Sequence, residues 1–555
     1  NHPSLAALDS PAASEGKTAP TLLALGLRTA LLFAPQLSPP AGVRYYDGDG
    51  FGTSTKESDM SEAFDIAIIG GGPGGYSTAL RAAELGKRVA MIERDATLGG
   101  TCLNRGCIPS KALISATHAI DSIRYAGELG ISATINGIDY GTLHDYKKRI
   151  VDTMTQGLAG LLAHRGVTVF RGVASITGAA RPITVHIAAP ADGQGVQRSV
   201  RSDVPEVIGP SYDITAQDVV LAMGSVPRQL PGEPFRGAII DSTRAMSMAM
   251  PHNAVIIGAG AIAAEFASMW NAAGCKVTTL IRKDRVLSGW DRRAGVTLTR
   301  ELKRHGIDVI DRSTVTHIDT GVNMGALVHY TSAKDGGSTE HIAEGEFVLV
   351  AIGRDPLTSD GWIRDAGVTV DDHGFITTDG YGRTTVAGIW AVGDITEGHA
   401  LAHRAFEQGI IAAESIAGLD PKPLDEDTIP QIVFSNPEAA SVGLTATDAK
   451  QRNDLSDIKE TVYPMMSNAR MMMSGSGGSL SLVSGIRAQQ PGVRVVLGVH
   501  MVAPVASDII AEAEQLVGNH TPLSDAARLI HPHPTFSETL GETLLKADDR
   551  PLHTR

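Results

Sequence analysis

The sequence predicts an α/β protein of parallel sheets, built twice on one strand–loop–helix–strand unit. Three observations carry that prediction. FDIAIIGGGPGGYSTALRAAELGKRVAMIERD (64–95) runs from a bulky apolar stretch through a glycine cluster into a helical pattern and out into a second apolar stretch. NAVIIGAGAIAAEFASMWNAAGCKVTTLIRKD (253–284) repeats that order. Apolar residues make up 43% of the 555 positions and charged residues 20%, enough for large cores in about three to four domains.

The first unit opens with Phe64 to Ile69, apolar throughout most of its length, as in a strand buried on both faces. Gly70, Gly72 and Gly75 form a G-x-G-x-x-G loop that opens a helix running to about Leu85, and Gly86 stops it. Glu93 ends the second strand at roughly the twentieth position beyond the loop, where a ribose-binding acid belongs. A lone glycine loop is a weak signal; flanked by strand, helix and acid it reads as a Rossmann dinucleotide site. The pyrophosphate would rest on the helix N-terminus.

The second unit has Gly258, Gly260 and, in the third place, Ala263, which still permits close helix–strand packing. Two such units predict two dinucleotides. The position equivalent to Glu93 is Ile281, followed by Arg282, Lys283 and Arg285. An absent acid followed by cations leans towards a 2′-phosphate and hence NADP, with solvated strand-end charges as the alternative.

Between the units lies GGTCLNRGCIPSKAL (99–113), with Cys102 and Cys107. Beside an electron carrier, a disulfide closing so short a loop is a redox element. Structural zinc needs four ligands, and one C-x4-C pair cannot supply them. A structural disulfide across so small a loop would stabilise little. Pro109 suits the first turn of a helix, whose N-terminus would lower a thiolate pKa. Cys275 stands alone at a strand start and reads as a small buried hydrophobe.

Three cysteines in the whole chain are no secreted disulfide scaffold and fit a reducing, cytoplasmic compartment. A net charge of -13 argues against nucleic-acid or anionic-membrane partners. No apolar run reaches the ~18 residues of a membrane span; the longest, TLLALGLRTALLFA (21–34), is broken by Arg28. Residues 1–59 are rich in Pro, Ala, Ser and Gly without periodicity and carry too many acids for a transit peptide. They read as a disordered extension or non-native leader, with Met60 the natural start.

Near the C-terminus, HPHPTFSETLGE (531–542) offers a base for thiol chemistry. His533 is the choice, oriented by Glu538, and His531 is weaker. Thr535-x-x-Glu538 is also a capping box, a competing use of one carboxylate. No third ligand accompanies the two histidines, so no metal is expected.

With these pieces the sequence resembles the FAD-dependent pyridine nucleotide–disulfide oxidoreductases, most closely their dihydrolipoamide-oxidising branch. The likeness rests on GGTCLNRGCIPSKAL, LAMGSVP (221–227), AIGRDP (351–356), WAVGDIT (390–396), LAHRA (401–405) and HPHPTFSETLGE, which follow the family's order. It implies an FAD domain over 60–229, a nicotinamide domain over 230–350, a central FAD-contacting segment over 351–425 and an α+β dimer-interface domain over 426–555. The motif-free stretch 178–215 reads as a β-hairpin excursion.

The resemblance also assigns roles. Cys102 would be the interchange thiol and Cys107 the thiolate facing the flavin. Lys111 would lie near the flavin's reactive nitrogen, with Glu265 as its acidic partner. Gly224, Gly353, Gly393, Asp394 and His403 would contact cofactor, and Arg282 would meet the nicotinamide dinucleotide. Family members are homodimers in which the C-terminal histidine serves the partner's disulfide. The implied substrate is dihydrolipoamide, free or on the lipoyl domain of a separate 2-oxoacid dehydrogenase or glycine cleavage component. The cofactors are FAD and NAD or NADP. An NADPH-driven reductase of a small disulfide, of the glutathione or mycothione kind, is the rival. A mercuric reductase would need an extra C-terminal cysteine pair, which is absent. A flavin-binding subunit with inert thiols is the non-catalytic alternative, disfavoured by the complete Cys–Cys–His set.

Overall fold

The computed structural model describes residues 62–200, 205–321, 325–335, 337 and 339–554. The expectation for residues 1–59 and Met60 lies outside them.

The first sheet grows from the glycine-loop unit. Strand Glu62–Ile69 pairs in parallel with Val89–Glu93 on one side and Ser211–Leu221 on the other, and Thr168–Arg171 continues beyond Val89–Glu93. Strand Ile389–Ala391 returns from far along the chain to pair in parallel with the C-terminal end of Ser211–Leu221. Continuous apolar sequence makes these strands core on both faces; Ile66, Ala67 and Ile68 are fully buried. The C-terminal ends of the strands therefore gather at one edge, the place where open α/β sheets bind ligands.

The stretch 178–215 is not a single hairpin. Val173–Gly178 and Ile183–Ala188 form an antiparallel pair that extends the sheet beside Ser211–Leu221. Val196–Ser199 and Glu206–Gly209 add to the opposite edge, beyond Thr168–Arg171. Alternating burial along Ile183–Ala188 shows one face on the core and one towards solvent, as antiparallel edge strands require.

The second sheet holds Ile239–Ile240, Phe347–Val350, Asn253–Ile257, Lys276–Leu280 and Asp308–Ile310, all parallel. A three-stranded antiparallel sheet, Ser313–Thr320, Ala326–Ser332 and Glu340–Gly345, packs one face against it through Ile318, Val328 and Tyr330. A two-stranded ribbon, Ser225–Pro227 with Arg354–Pro356, marks where the chain leaves for this region and where it returns. The C-terminal region is an antiparallel sheet of five strands between Gln431 and Ala503, backed by helices Ala506–Gly518 and Glu538–Ala547.

Candidate active site

A cleft of about 410 Å³ opens where the strands of the first sheet end. The turns after Ile69, Ile92, Leu221 and Ala391 all line it. Gly70 takes φ +112°, and a Cβ there would lie 2.3 Å from the Ala222 carbonyl oxygen. A Cβ on Gly75 would lie 1.8 Å from the Gly70 oxygen, so helix Pro73–Glu84 sits directly on the strand. Gly72 differs: a Cβ there would meet nothing closer than 3.8 Å, and the residue lines the cleft. That opening lies at the N-cap of the helix, where backbone N–H groups attract phosphate. The residues thus fit the dinucleotide that the glycine pattern predicts.

Glu93 lines the cleft and is buried, with one carboxylate oxygen accepting from Gly71 N at 2.7 Å and the other from Asp95 N at 2.9 Å. Burial raises its pKa against the lowering effect of those two N–H groups. The acid braces the glycine loop and keeps lone pairs for ribose hydroxyls.

Cys102 lies on the short helix Gly100–Arg105, and Cys107 is the first residue of helix Cys107–Tyr125. Both thiols are free, half-buried and hydrogen-bonded to each other. The pair is strongly polarised. Cys107 is lowered to about 7 by the hydrogen bond from Cys102, aided by the Lys111 charge against the cost of burial. Cys102 is pushed far up by the same hydrogen bond and by burial. The helix N-terminus at Cys107 favours the same assignment of the charge. Pro109 stands in that first turn, as expected.

Lys111, one turn further, lines the cleft. Its Nζ donates to both oxygens of Glu265, at 3.0 and 2.9 Å, and lies 4.6 Å from the centre of the Phe434 ring. Glu265 is buried on helix Ala261–Ala272, which opens from the second glycine loop, and also accepts from Phe434 N. The predicted pair therefore joins the thiol helix to the second dinucleotide unit. In that unit Gly258 takes φ +142°, and space around Gly260 is open. Strand register places Ile281 at the position of Glu93: Ile69 pairs with Ile92 as Ile257 pairs with Leu280. Ile281 is 1% exposed, whereas Arg282 and Lys283 are exposed and form no side-chain ion pair or hydrogen bond among the described residues. Arg285 is tied to Asp284 and to the Ser288 carbonyl.

Gly224, Gly393 and Asp394 line the cleft. Gly353 and His403 do not. Gly353 lies beside the two-stranded ribbon, its carbonyl accepting from Arg228 N, and the His403 ring bonds the Pro430 carbonyl at 2.7 Å. His403 heads helix Ala402–Ile416, whose Leu401, Ala402 and Ala405 face the cleft instead.

Ser225, Arg354 and Arg105 also line the cleft, and the sequence motifs did not mark them. Ser225 donates to Asp394 at 2.5 Å and accepts from Arg354 Nε at 2.7 Å; the guanidinium of Arg354 has its pKa lowered by burial. Arg105, between the cysteines, pairs with Asp95 at 2.5 Å. Ser225 and Arg354 stand inside recognised motifs, beside the glycines that drew the attention. Cys275 is buried, and its thiol is pushed up to about 12 by burial.

His533 does not line this cleft and is 76% exposed, with Nδ1 2.7 Å from Glu538 Oε1. The other oxygen of Glu538 accepts from Thr535 N at 2.7 Å. One carboxylate thus serves both uses, one oxygen each. The capping box is only half formed, since Thr535 Oγ1 donates to the Pro532 carbonyl instead and the helix starts at Glu538. Burial works to raise the Glu538 pKa, but the Thr535 N–H and His533 leave it lowered. His531 is tied to Glu512 at 2.8 Å.

A protein-family model described as pyridine nucleotide-disulphide oxidoreductase matches residues 64–409, and one described as the dimerisation domain of such enzymes matches 429–544. The dihydrolipoyl dehydrogenase of Chlamydia pneumoniae is 35% identical over 497 residues, covering 89% of this chain and 99% of the relative. That of Geobacillus stearothermophilus is 34% identical over 497 residues, covering 89% and 98%. The crystal structure of LpdA from Mycobacterium tuberculosis superposes with a TM-score of 0.75 at 26% identity, covering 88% of this chain and 99% of that one.

Proposed function

This chain belongs to the pyridine nucleotide-disulphide oxidoreductase family, and we propose that it carries out the dihydrolipoyl dehydrogenase reaction, oxidising dihydrolipoamide to lipoamide with FAD and a nicotinamide dinucleotide. The observation that carries the reading is the polarised thiol pair, with Cys107 at a helix N-terminus in the cleft that the first glycine loop also lines. The 2-thiol substrate enters against Cys102. His533 of the partner subunit takes a proton from the first substrate thiol, and the resulting thiolate attacks Cys102 Sγ of the oxidised pair. The Cys102–Cys107 bond breaks, and its electron pair stays on Cys107, where the helix end and Lys111 hold the negative charge. The second substrate thiol then displaces Cys102, closing the lipoamide disulfide and leaving the enzyme dithiol. FAD, held in the cleft by Gly72, Glu93 and Asp394 among its lining residues, would supply the acceptor through which those two electrons reach the nicotinamide. Lys111, fixed by Glu265, keeps a positive charge beside the thiolate.

The dimerisation domain supports a homodimer. That His533 is exposed and outside the lining of its own chain's cleft supports an active site shared between subunits, in which the base comes from the other chain. The lipoyl group is carried by a separate 2-oxoacid dehydrogenase or glycine cleavage component. The cytoplasm is the compartment that suits a chain of three cysteines; among the described residues no helix is long and apolar enough to cross a membrane. The dihydrolipoyl dehydrogenase relatives favour NAD, whereas the buried Ile281 and the exposed Arg282 and Lys283, without side-chain partners among the described residues, lean towards NADP, the cofactor of the rival small-disulfide reductase. Initial rates with dihydrolipoamide and with oxidised glutathione, each with both nicotinamides, test the reading. Turnover of dihydrolipoamide is the expected result; NADPH–glutathione turnover without it would overturn the proposal.

A further inference from the structure

The three-stranded antiparallel sheet packs only one face on the core. Along Ala326–Ser332 the residues Ala326, Val328 and Tyr330 are buried and belong to that face. His329 points to the other face, yet its side chain is only 12% exposed. What covers it is polar. His317, its cross-strand partner, stacks on it with ring centres 3.9 Å apart. Asp319 Oδ2 lies 3.1 Å from His329 Nε2, and Glu340 Oε2 lies 3.5 Å from His329 Nδ1. Thr316 Oγ1 lies 3.3 Å from the other Glu340 oxygen.

The hydrogen bonding of His329 is unbalanced. If Nε2 carries the proton that Asp319 accepts, Nδ1 presents a lone pair. That atom is buried and has no hydrogen-bond partner. The nearest charged group is the Glu340 carboxylate, so a lone pair faces an anion. A positive charge between them removes the conflict. One donor atom from each of His317, His329 and Glu340 lies within 4.8 Å of the other two. Around a zinc ion, with bonds of about 2.0–2.1 Å, tetrahedral donors stand roughly 3.3 Å apart. As stacked, the two rings do not point their lone pairs at one spot, so binding requires the exposed His317 ring to turn off the stack and the exposed Glu340 carboxylate to rotate in.

We propose that His317, His329 and Glu340 form a binding site for one borderline divalent transition cation, Zn²⁺, Ni²⁺ or Cu²⁺, with Asp319 fixing His329 as the outer carboxylate. Two imidazoles and a carboxylate are the donor set such ions take, and they disfavour Mg²⁺ and Ca²⁺. The Asp319–His329 bond selects the tautomer whose Nδ1 is free for metal, as second-sphere carboxylates do elsewhere. The site ties all three strands of this sheet together, far in sequence from the thiol pair.

The test uses chelator-treated, fully oxidised holoenzyme, in which Cys102 and Cys107 are closed to metal. Zn²⁺ calorimetry is expected to show one saturable ion per chain. Cu²⁺ electron paramagnetic resonance is expected to show coupling to two imidazole nitrogens. H317A and E340Q should each weaken Zn²⁺ by more than tenfold with dihydrolipoamide turnover unchanged, and D319N by about 10- to 100-fold. A C102S/C107S variant should bind the ion as wild type does. No saturable binding, or binding that survives both H317A and E340Q, would overturn the proposal and leave the three side chains as a polar surface cluster.

Discussion

Glu265 holds Lys111 with both carboxylate oxygens, at 2.9 and 3.0 Å, although the two residues are 154 positions apart and belong to different dinucleotide units. One residue lies on the helix that begins with Cys107, the other on the helix that opens from the second glycine loop. The pair fixes a positive charge beside the thiolate and ties the two units at the cleft. Removing the carboxylate leaves Lys111 without its anchor. E265A should lower kcat about 100-fold through misplacement of the amine, with little change in flavin content. Stopped-flow reduction by dihydrolipoamide checks this, and an unaltered rate would show the pair to be merely structural.

Cys107 carries the proton equilibrium that matters at neutral pH. Its pKa of about 7 lies below the ordinary thiol value, because Cys102 donates a hydrogen bond to it and Lys111 stands nearby. In the reduced enzyme the folded chain therefore holds a thiolate at pH 8, where an unfolded chain holds a thiol. Stability from this group is present above the unfolded thiol pKa, builds as pH rises from about 7 towards that value, and is lost as pH falls through about 7. Ultraviolet titration of the dithiol should show one thiolate forming near neutrality. K111M should move that titration to higher pH.

C107S is expected to abolish dihydrolipoamide turnover, because no disulfide can form. C102S should abolish it equally, yet retain a Cys107 titration, since a serine hydroxyl can still donate to the thiolate. A comparison of activity and titration in the two variants separates the roles of the sulfurs.

His533 and Glu538 act on the partner's thiols in the proposed dimer. H533A and C107S are each expected to be inactive as homodimers. Random mixing should restore about one quarter of wild-type activity, since half the dimers are mixed and each of those keeps one complete site. Absence of any recovery in a verified mixture would place the base within its own chain.

Ile281 holds the position in the second unit that Glu93 holds in the first, and Arg282 and Lys283 after it have no side-chain partner among the described residues. Calorimetry should find adenosine 2′,5′-bisphosphate bound more tightly than adenosine 5′-monophosphate. R282A/K283A should remove most of that difference, and the preference should shrink as salt rises, as an exposed charge contact requires.

The second-unit reading illustrates how far sequence reached. The glycine spacing alone located Ile281 opposite Glu93, and the strand pairing agrees residue for residue. Gly353 and His403 were harder. Both sit one residue away from positions that line the cleft in space or from motif residues that do, Arg354 and Ala402. A helix rotates about 100° per residue, so a motif places a short segment at a site without deciding which of its side chains enters. The stretch 178–215 carried β-type alternation, but which sheet edge each strand joined depended on partners elsewhere in the chain.

By itself the sequence determined what neighbouring residues decide among themselves. The glycine loops follow from backbone sterics, the helix start at Cys107 from Pro109 and the run after it, and the family from the order of its motifs. Only the tertiary structure decided what distant residues do together: Ser225 with Asp394 and Arg354, His533 exposed and outside the lining of its own chain's cleft, and His317, His329 and Glu340 meeting on one face of a sheet. The reason is physical. Local conformation is set by torsions and hydrogen bonds that span a few residues, whereas these contacts depend on strand register and domain packing, which the whole chain must fold to define.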